Sequence, residues 1–200
     1  MILASFKRFP YVNMKKALAG AQINLKEWIL DVADGIMGVF STSKIENGLL
    51  MWAHYSQQHE GMMLQIDSEY LKGRGPYPIR YDSVRPASDF SLYKDSQILS
   101  QEVLRLMTTK SLDWQYEKEL RFFISPKECR IETTCDGRQF NMLKIDPKSV
   151  RKLVLGIKTS RDSENAVKAI IRTEENHHIE LFRAQIDESD YKIATARIVI

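Results

Sequence analysis

The sequence is sparing in cysteine, proline and glycine, has no long apolar run and carries no surplus of one charge. Its 200 residues include 2 cysteines, Cys129 and Cys135. That is too few for a secreted disulfide framework or a four-cysteine zinc site. They flank an expected hairpin, and the reading adopted is reduced thiols in a cytoplasmic protein. No apolar stretch approaches the ~20 residues that span a bilayer. The opening "MILASFKRFPYV" puts Lys7 and Arg8 after its short apolar start, the reverse of a signal peptide. With 29 basic and 26 acidic side chains the formal net charge is only +3, and no block of like charges stands out. That is no electrostatic footprint for nucleic acid. The 9 glycines and 6 prolines form no phosphate-cradling loop. "LVLGIKTS" lacks the P-loop spacing, and no Gly-x-Ser-x-Gly elbow exists.

What remains is the composition of an ordinary globular protein, 44% hydrophobic and 28% charged. The length suits one domain over residues 1–200, large enough to bury a core without disulfides or metal. Residues 11–34 have helical periodicity, in two pieces broken near Gly20, with Asn24 and Glu27 at capping-box spacing. "IMGVF" (36–40) and "MMLQI" (62–66) read as buried strands. Between them a helix over 49–58 is expected to stop near Gly61 in a left-handed conformation. Residues 68–90 read as loop around the short strand "PIRYD". Residues 96–109 have the spacing of an amphipathic helix. "WQYEKELRFFI" (114–124) alternates as a strand does. A hairpin is expected to turn at Asp136-Gly137, followed by the strand "RKLVLGI", a helix capped by Ser163 and two final strands. Without regular βαβ alternation, this order predicts an α+β fold on a mixed, largely antiparallel sheet with flanking helices.

Three stretches can carry chemistry. "MWAHYSQQHEG" (51–61) holds His54 and His59, five apart and therefore poorly placed as a helical metal pair. His54 serves either the core or a polar site, and His59 either caps carbonyls or binds a ligand; Tyr55 offers a phenol to a cleft. On a strand over 114–124, Glu117, Glu119 and Arg121 share one face. They form either a solvated edge or an enclosed cluster in which the carboxylates need Arg121 as a partner. Ser41 and Ser43 of "VFSTS" either bind phosphate or ribose or make a hydroxyl turn.

"LMWAHYSQQHEG" followed by "KSLDWQYEKELRFFI" resembles the bacterial domain-of-unknown-function 2971 family. The motif residues are Met51, Trp52, His54, Tyr55, His59 and Gly61, then Lys110, Ser111, Trp114, Tyr116, Glu117, Glu119 and Arg121, then "LVLG" at 153–156. The likeness spans about residues 36 to 160, with Ser56 where the family has alanine. The family's opening Lys-Tyr strand and Asn-Asp-Pro turn have no counterpart, so a shortened member is expected. A remoter likeness is to ADP-ribosyltransferases, which set a Ser-Thr-Ser after one strand and a Glu-x-Glu on a later one; Arg8 is the one candidate for their first-strand basic residue. It implies nucleotide chemistry on NAD: Glu119 the essential carboxylate, Glu117 turned to the acceptor, His54 assisting. Tyr55, Arg121, Ser41, Ser43, Lys110 and His59 would line the ligand, with no metal. Two alternatives stay open. One is a metal-dependent nuclease or phosphohydrolase using Glu117, Glu119 and a histidine. The other is a buried polar network without catalysis.

Overall fold

Helices and strands interleave along the chain, and the strands of the described residues fall into four sheets. The computed structural model describes residues 38–87 and 96–200. In order come β1 (Gly38–Ser43), α1 (Leu49–Tyr55), β2 (Met62–Ile66), β3 (Tyr77–Pro78), β4 (Arg80–Asp82), α2 (Ser96–Met107) and β5 (Thr109–Ser111). Then follow β6 (Glu119–Ile124), β7 (Cys129–Thr133), β8 (Gln139–Leu143), β9 (Val150–Leu155), α3 (Arg161–Ile171), β10 (Glu180–Ile186) and β11 (Ile193–Arg197). The architecture is α+β. The helical pattern read over 11–34, Arg8 and the Asn24–Glu27 pair lie outside the described residues.

The run Leu153-Val154-Leu155 has no polar alternation because β9 is covered on both faces. It sits inside a four-stranded sheet of order β11-β10-β9-β2, parallel to β10 and antiparallel to β2. On one face Leu153, Leu155 and Leu181 meet Val167 and Ile171 of α3. On the other, Val154, Met63, Ala184 and Ile193 pack against Trp52 of α1, 1% exposed. The α3 crossover makes β9-α3-β10 a βαβ unit in a largely antiparallel arrangement. A second sheet, β1-β6-β3, is antiparallel throughout and buries Phe40, Phe122 and Ile124 with Leu71. β4 pairs in parallel with β5, and β7 pairs antiparallel with β8.

The expected mixed, largely antiparallel pairing holds, distributed over four sheets among the described residues. Three local expectations need correction. The helix at 49 ends at Tyr55, where Ser56 donates from its Oγ to the Trp52 carbonyl at 2.5 Å. The left-handed residues are not Gly61 but Gln57, Gln58 and His59, at φ 48°, 54° and 74°. The cap of α3 is Ser160, whose Oγ accepts from the Ser163 amide at 3.1 Å; Ser163 lies inside the first turn. Replacing Ser160 with alanine orphans that amide, and chemical denaturation is expected to show a loss of about 1 kcal/mol. The Asp136-Gly137 turn stands as expected, with Gly137 at φ 80°. Cys129 and Cys135 on this hairpin are unpaired.

Candidate functional site

The strand expected over 114–124 begins only at Glu119. Residues Leu112–Glu117 form a 3-10 helix opened by Ser111, and Lys118 takes the left-handed conformation at φ 42° to turn the chain into β6. A 3-10 helix eclipses positions i and i+3, so Trp114 and Glu117 stack along one edge. The kink at Lys118 then brings Glu117 beside Glu119 although the two belong to different elements. From Glu119 onward the strand alternation holds, and Glu119 and Arg121 share a face.

Both carboxylates are enclosed, Glu117 at 3% and Glu119 at 6% exposure. Enclosed charges require partners, and each has them. Ser41 donates from Oγ to Glu119 Oε1 at 2.7 Å, across the antiparallel β1–β6 ladder. Arg121 donates from Nε to the same oxygen at 2.8 Å, and from Nη2 to Oε2 at 3.4 Å. The Lys110 ammonium bridges the two acids, bonded to Glu117 Oε2 and 3.1 Å from Glu119 Oε2. Tyr55 donates its phenol hydrogen to Glu117 Oε1 at 2.5 Å. The Glu119 amide donates to the hydroxyl of Tyr81 at 2.8 Å. Arg121 uses its remaining nitrogen on the Met107 carbonyl, satisfying an acceptor at the end of α2. Two anions and two cations leave the cluster neutral.

The charges set the titration of their neighbours. Burial, the largest influence, acts to raise Glu119. The Arg121 hydrogen bond and charge, the Ser41 hydroxyl and the Lys110 charge together outweigh it and hold the carboxyl below its ordinary 4.5. Tyr55 is pushed far above a normal phenol, first by burial, then by the hydrogen bond to Glu117 and that residue's charge. It is therefore a neutral donor throughout the physiological range. A depressed carboxyl contributes stability that is full above its unfolded value and is lost as pH falls through its folded value. Ser41→Ala removes one of the groups holding Glu119 down. Its urea midpoint is accordingly expected to fall by less than that of wild type in a titration from about pH 6 to about pH 3, because the decline begins at the same unfolded-chain value but ends at a higher folded one.

Next to the acids lies an aromatic face. The His54 ring stands 6.4 Å from Trp114 and 6.0 Å from Tyr116, centroid to centroid, and its Nδ1 lies 2.9 Å from the Tyr116 hydroxyl. Trp114 is 39% exposed and His54 is also exposed. The Lys110 ammonium sits 4.9 Å from the Trp114 ring centroid, within cation–π range. His54 thus bonds a tyrosine on the rim, while Tyr55 is the α1 residue that reaches the acids.

Of the nine residues singled out in the sequence, six converge: Ser41, Tyr55, Lys110, Glu117, Glu119 and Arg121. His54 joins them through Tyr116. Ser43 is adjacent, donating from Oγ to the Glu117 carbonyl at 2.6 Å and accepting from the Ile45 amide. His59 lies elsewhere, in the turn packed on the 156–159 loop. Its carbonyl accepts from the Lys158 amide at 3.0 Å, and its buried Nδ1 has no partner. Burial, with the Lys158 charge adding, lowers its pKa. Tyr81 carries no signal in the sequence, where its segment reads mostly as loop. The cleft of about 300 Å³ is bordered by Thr42, Ser43, Ile45, Met63, Leu120 and Phe122, and neither Glu119 nor Arg121 lines it. Among the described residues, no three His, Cys, Asp or Glu side chains gather as metal ligands.

No curated protein and no solved structure matches the chain. A family match covers less than the span of about 36 to 160 read from the motifs, leaving the "LVLG" stretch and β1 outside it. Residues 51–122, which run from the middle of α1 into β6 and supply every side chain of the ion network except Ser41, match the family described as "Protein of unknown function (DUF2971)".

Proposed function

We propose that the chain handles a nucleotide at this network, by ADP-ribosyl transfer or hydrolysis of the nicotinamide–ribose bond of NAD. One observation carries the reading: the hydroxyl of Ser41, from the Ser-Thr-Ser stretch, bonds Glu119 of the Glu-x-Glu stretch at 2.7 Å. That contact between the two stretches supports the reading. In such a reaction the C1′–N bond breaks, its electron pair leaves with nicotinamide, and positive charge develops on the ribose. An ionised carboxylate held rigidly in place stabilises that charge without reorganising. Glu119 is held in this way, while Glu117 has spare capacity to accept the proton of an incoming water or hydroxyl. The exposed Trp114 and His54 rings offer a stacking surface for a base. The cluster and its aromatic rim need no ion for these roles, and the metal-dependent alternative lacks a third ligand among the described residues.

A second reading is favoured by a different observation. Both oxygens of Glu119 are already occupied, by Ser41 and Arg121 on one and by Lys110 and Arg121 on the other. A saturated network of this kind rigidifies a core without doing chemistry. NAD consumption by the full chain in chelator-containing buffer decides between the two. Glu119→Asp keeps the charge but withdraws the carboxylate by one methylene, and about a hundredfold loss of turnover is expected from such a displacement. Absence of turnover in the wild-type chain, or undiminished turnover in Glu119→Asp, leaves the structural reading standing alone.

A further inference from the structure

The surroundings of Lys110 are those of a cation site in which the chain has seated a cation of its own. Its ammonium lies between the Trp114 ring at 4.9 Å, Glu119 Oε2 at 3.1 Å and Glu117 Oε2. The two walls differ in mobility from the occupant. The carboxylate side chains are 4% and 6% exposed and are tied down by Tyr55, Ser41 and Arg121. The Lys110 side chain is 23% exposed, on a flexible four-carbon stem. It springs from β5, a three-residue strand that among the described residues pairs with β4 alone. Withdrawal of that one side chain uncovers an aromatic ring next to two ionised acids. This is the arrangement that binds organic cations through cation–π attraction and charge together.

We propose that Lys110 is a tethered occupant of this aromatic and acidic cage, and that a planar organic cation of the ligand displaces it. The inference rests on the nucleotide reading for the identity of that cation, the nicotinamide ring of oxidised NAD being one. In the free chain the ammonium neutralises the acids and keeps them folded inward. On displacement the incoming ring lies over Trp114, its charge takes over the pairing, and Lys110 moves to solvent. Glu119 then keeps Ser41 and Arg121 and exchanges only one of its partners, so the carboxylate stays fixed while its free edge turns to the ligand.

The probe is 1-methylnicotinamide, which carries the cationic ring and no phosphate or ribose. In the wild-type chain, acylation of Lys110 by an amine-reactive ester, read by peptide mass spectrometry, is expected to rise at least tenfold as the probe is added. Lysines remote from the cage, such as Lys127, are expected to stay constant. Trp114→Ala is expected to abolish the rise. In Lys110→Met, calorimetry is expected to give at least tenfold tighter probe binding than in wild type, since no tethered competitor remains. Should that variant not fold, the acylation arm stands on the wild-type chain alone. A Lys110 reactivity that is unchanged or falls with probe overturns the proposal, as does a rise that survives Trp114→Ala. NAD turnover without probe-induced exposure of Lys110 sinks the cage and leaves the nucleotide reading intact. Exposure of Lys110 without NAD turnover does the reverse.

Discussion

Gly156→Ala is expected to cost roughly 3 kcal/mol or more in unfolding free energy, or to prevent folding, as measured by urea denaturation of the full chain. A Cβ there would lie 2.1 Å from the His59 carbonyl oxygen and 2.8 Å from that of Gly61. Both obstacles are backbone, so neither can rotate away. Nor can the turn that carries them retreat. Gln57, Gln58 and His59 stand one after another in the left-handed region, at about 1–2 kcal/mol each for side-chain-bearing residues. That conformation persists because other elements hold it: the Gly61 amide donates to Ser56 at 2.7 Å and the Gly156 amide to Gly61 at 2.8 Å. Thr159 adds its hydroxyl to the Glu60 carbonyl at 2.9 Å. The His59…Gly61 and Leu-Val-Leu-Gly motifs thus meet in one joint, where the chain that leaves α1 docks on the end of β9. Gly137→Ala separates space from conformation. Gly137 has φ 80° but open surroundings, so only the backbone penalty applies, about 1 kcal/mol.

The second large effect is Glu119→Gln, expected to lower stability by about 3–5 kcal/mol, the order seen when one partner of an enclosed ion pair is removed. The glutamine carbonyl can still accept one of these hydrogen bonds, but its amide nitrogen is a donor facing a donor, and Arg121 and Lys110 are left with Glu117 as their one counter-charge in the cluster. The loss comes from stranded charge rather than from a missing contact, and this makes it reversible by a second change. Glu119→Gln combined with Arg121→Met restores neutrality, and the double variant is expected to be more stable than the sum of the singles by 1 kcal/mol or more, in the usual range for neighbours in one network. Additive losses in thermal or urea unfolding would show that the two side chains do not share a network.

How far these features are legible in the sequence depends on whether they are local. The apolar runs at 62–66 and 153–155 announce buried strands, and Asp136-Gly137 announces its hairpin, because burial and turn chemistry act within a few residues. The common face of Glu119 and Arg121 follows from strand periodicity over 119–124. Residues 112–117 mislead for a physical reason. Their alternation of bulky and polar side chains imitates a strand, while the hydroxyl of Ser111 and the left-handed Lys118 enforce a 3-10 turn. Tyr81 stays hidden because it reaches Glu119 through a parallel pairing of β4 with β5, which leaves no mark in either segment. The turn at 57–59 is illegible in principle. Local preference puts the left-handed residue at Gly61, and only hydrogen bonds to and from Gly156, Lys158 and Thr159 overrule it.

The two halves of the motif are joined through the Tyr55 hydroxyl and Glu117, and a shared site exists only if that joint holds. A double-mutant cycle of Tyr55→Phe and Glu117→Gln, followed by urea unfolding of the full chain, measures that joint directly. A coupling of about 1–2 kcal/mol is the predicted result, as for a charge-assisted bond inside an enclosed network. A coupling indistinguishable from zero would contradict it, since α1 and the acidic segment would then be packed neighbours with no shared site between them.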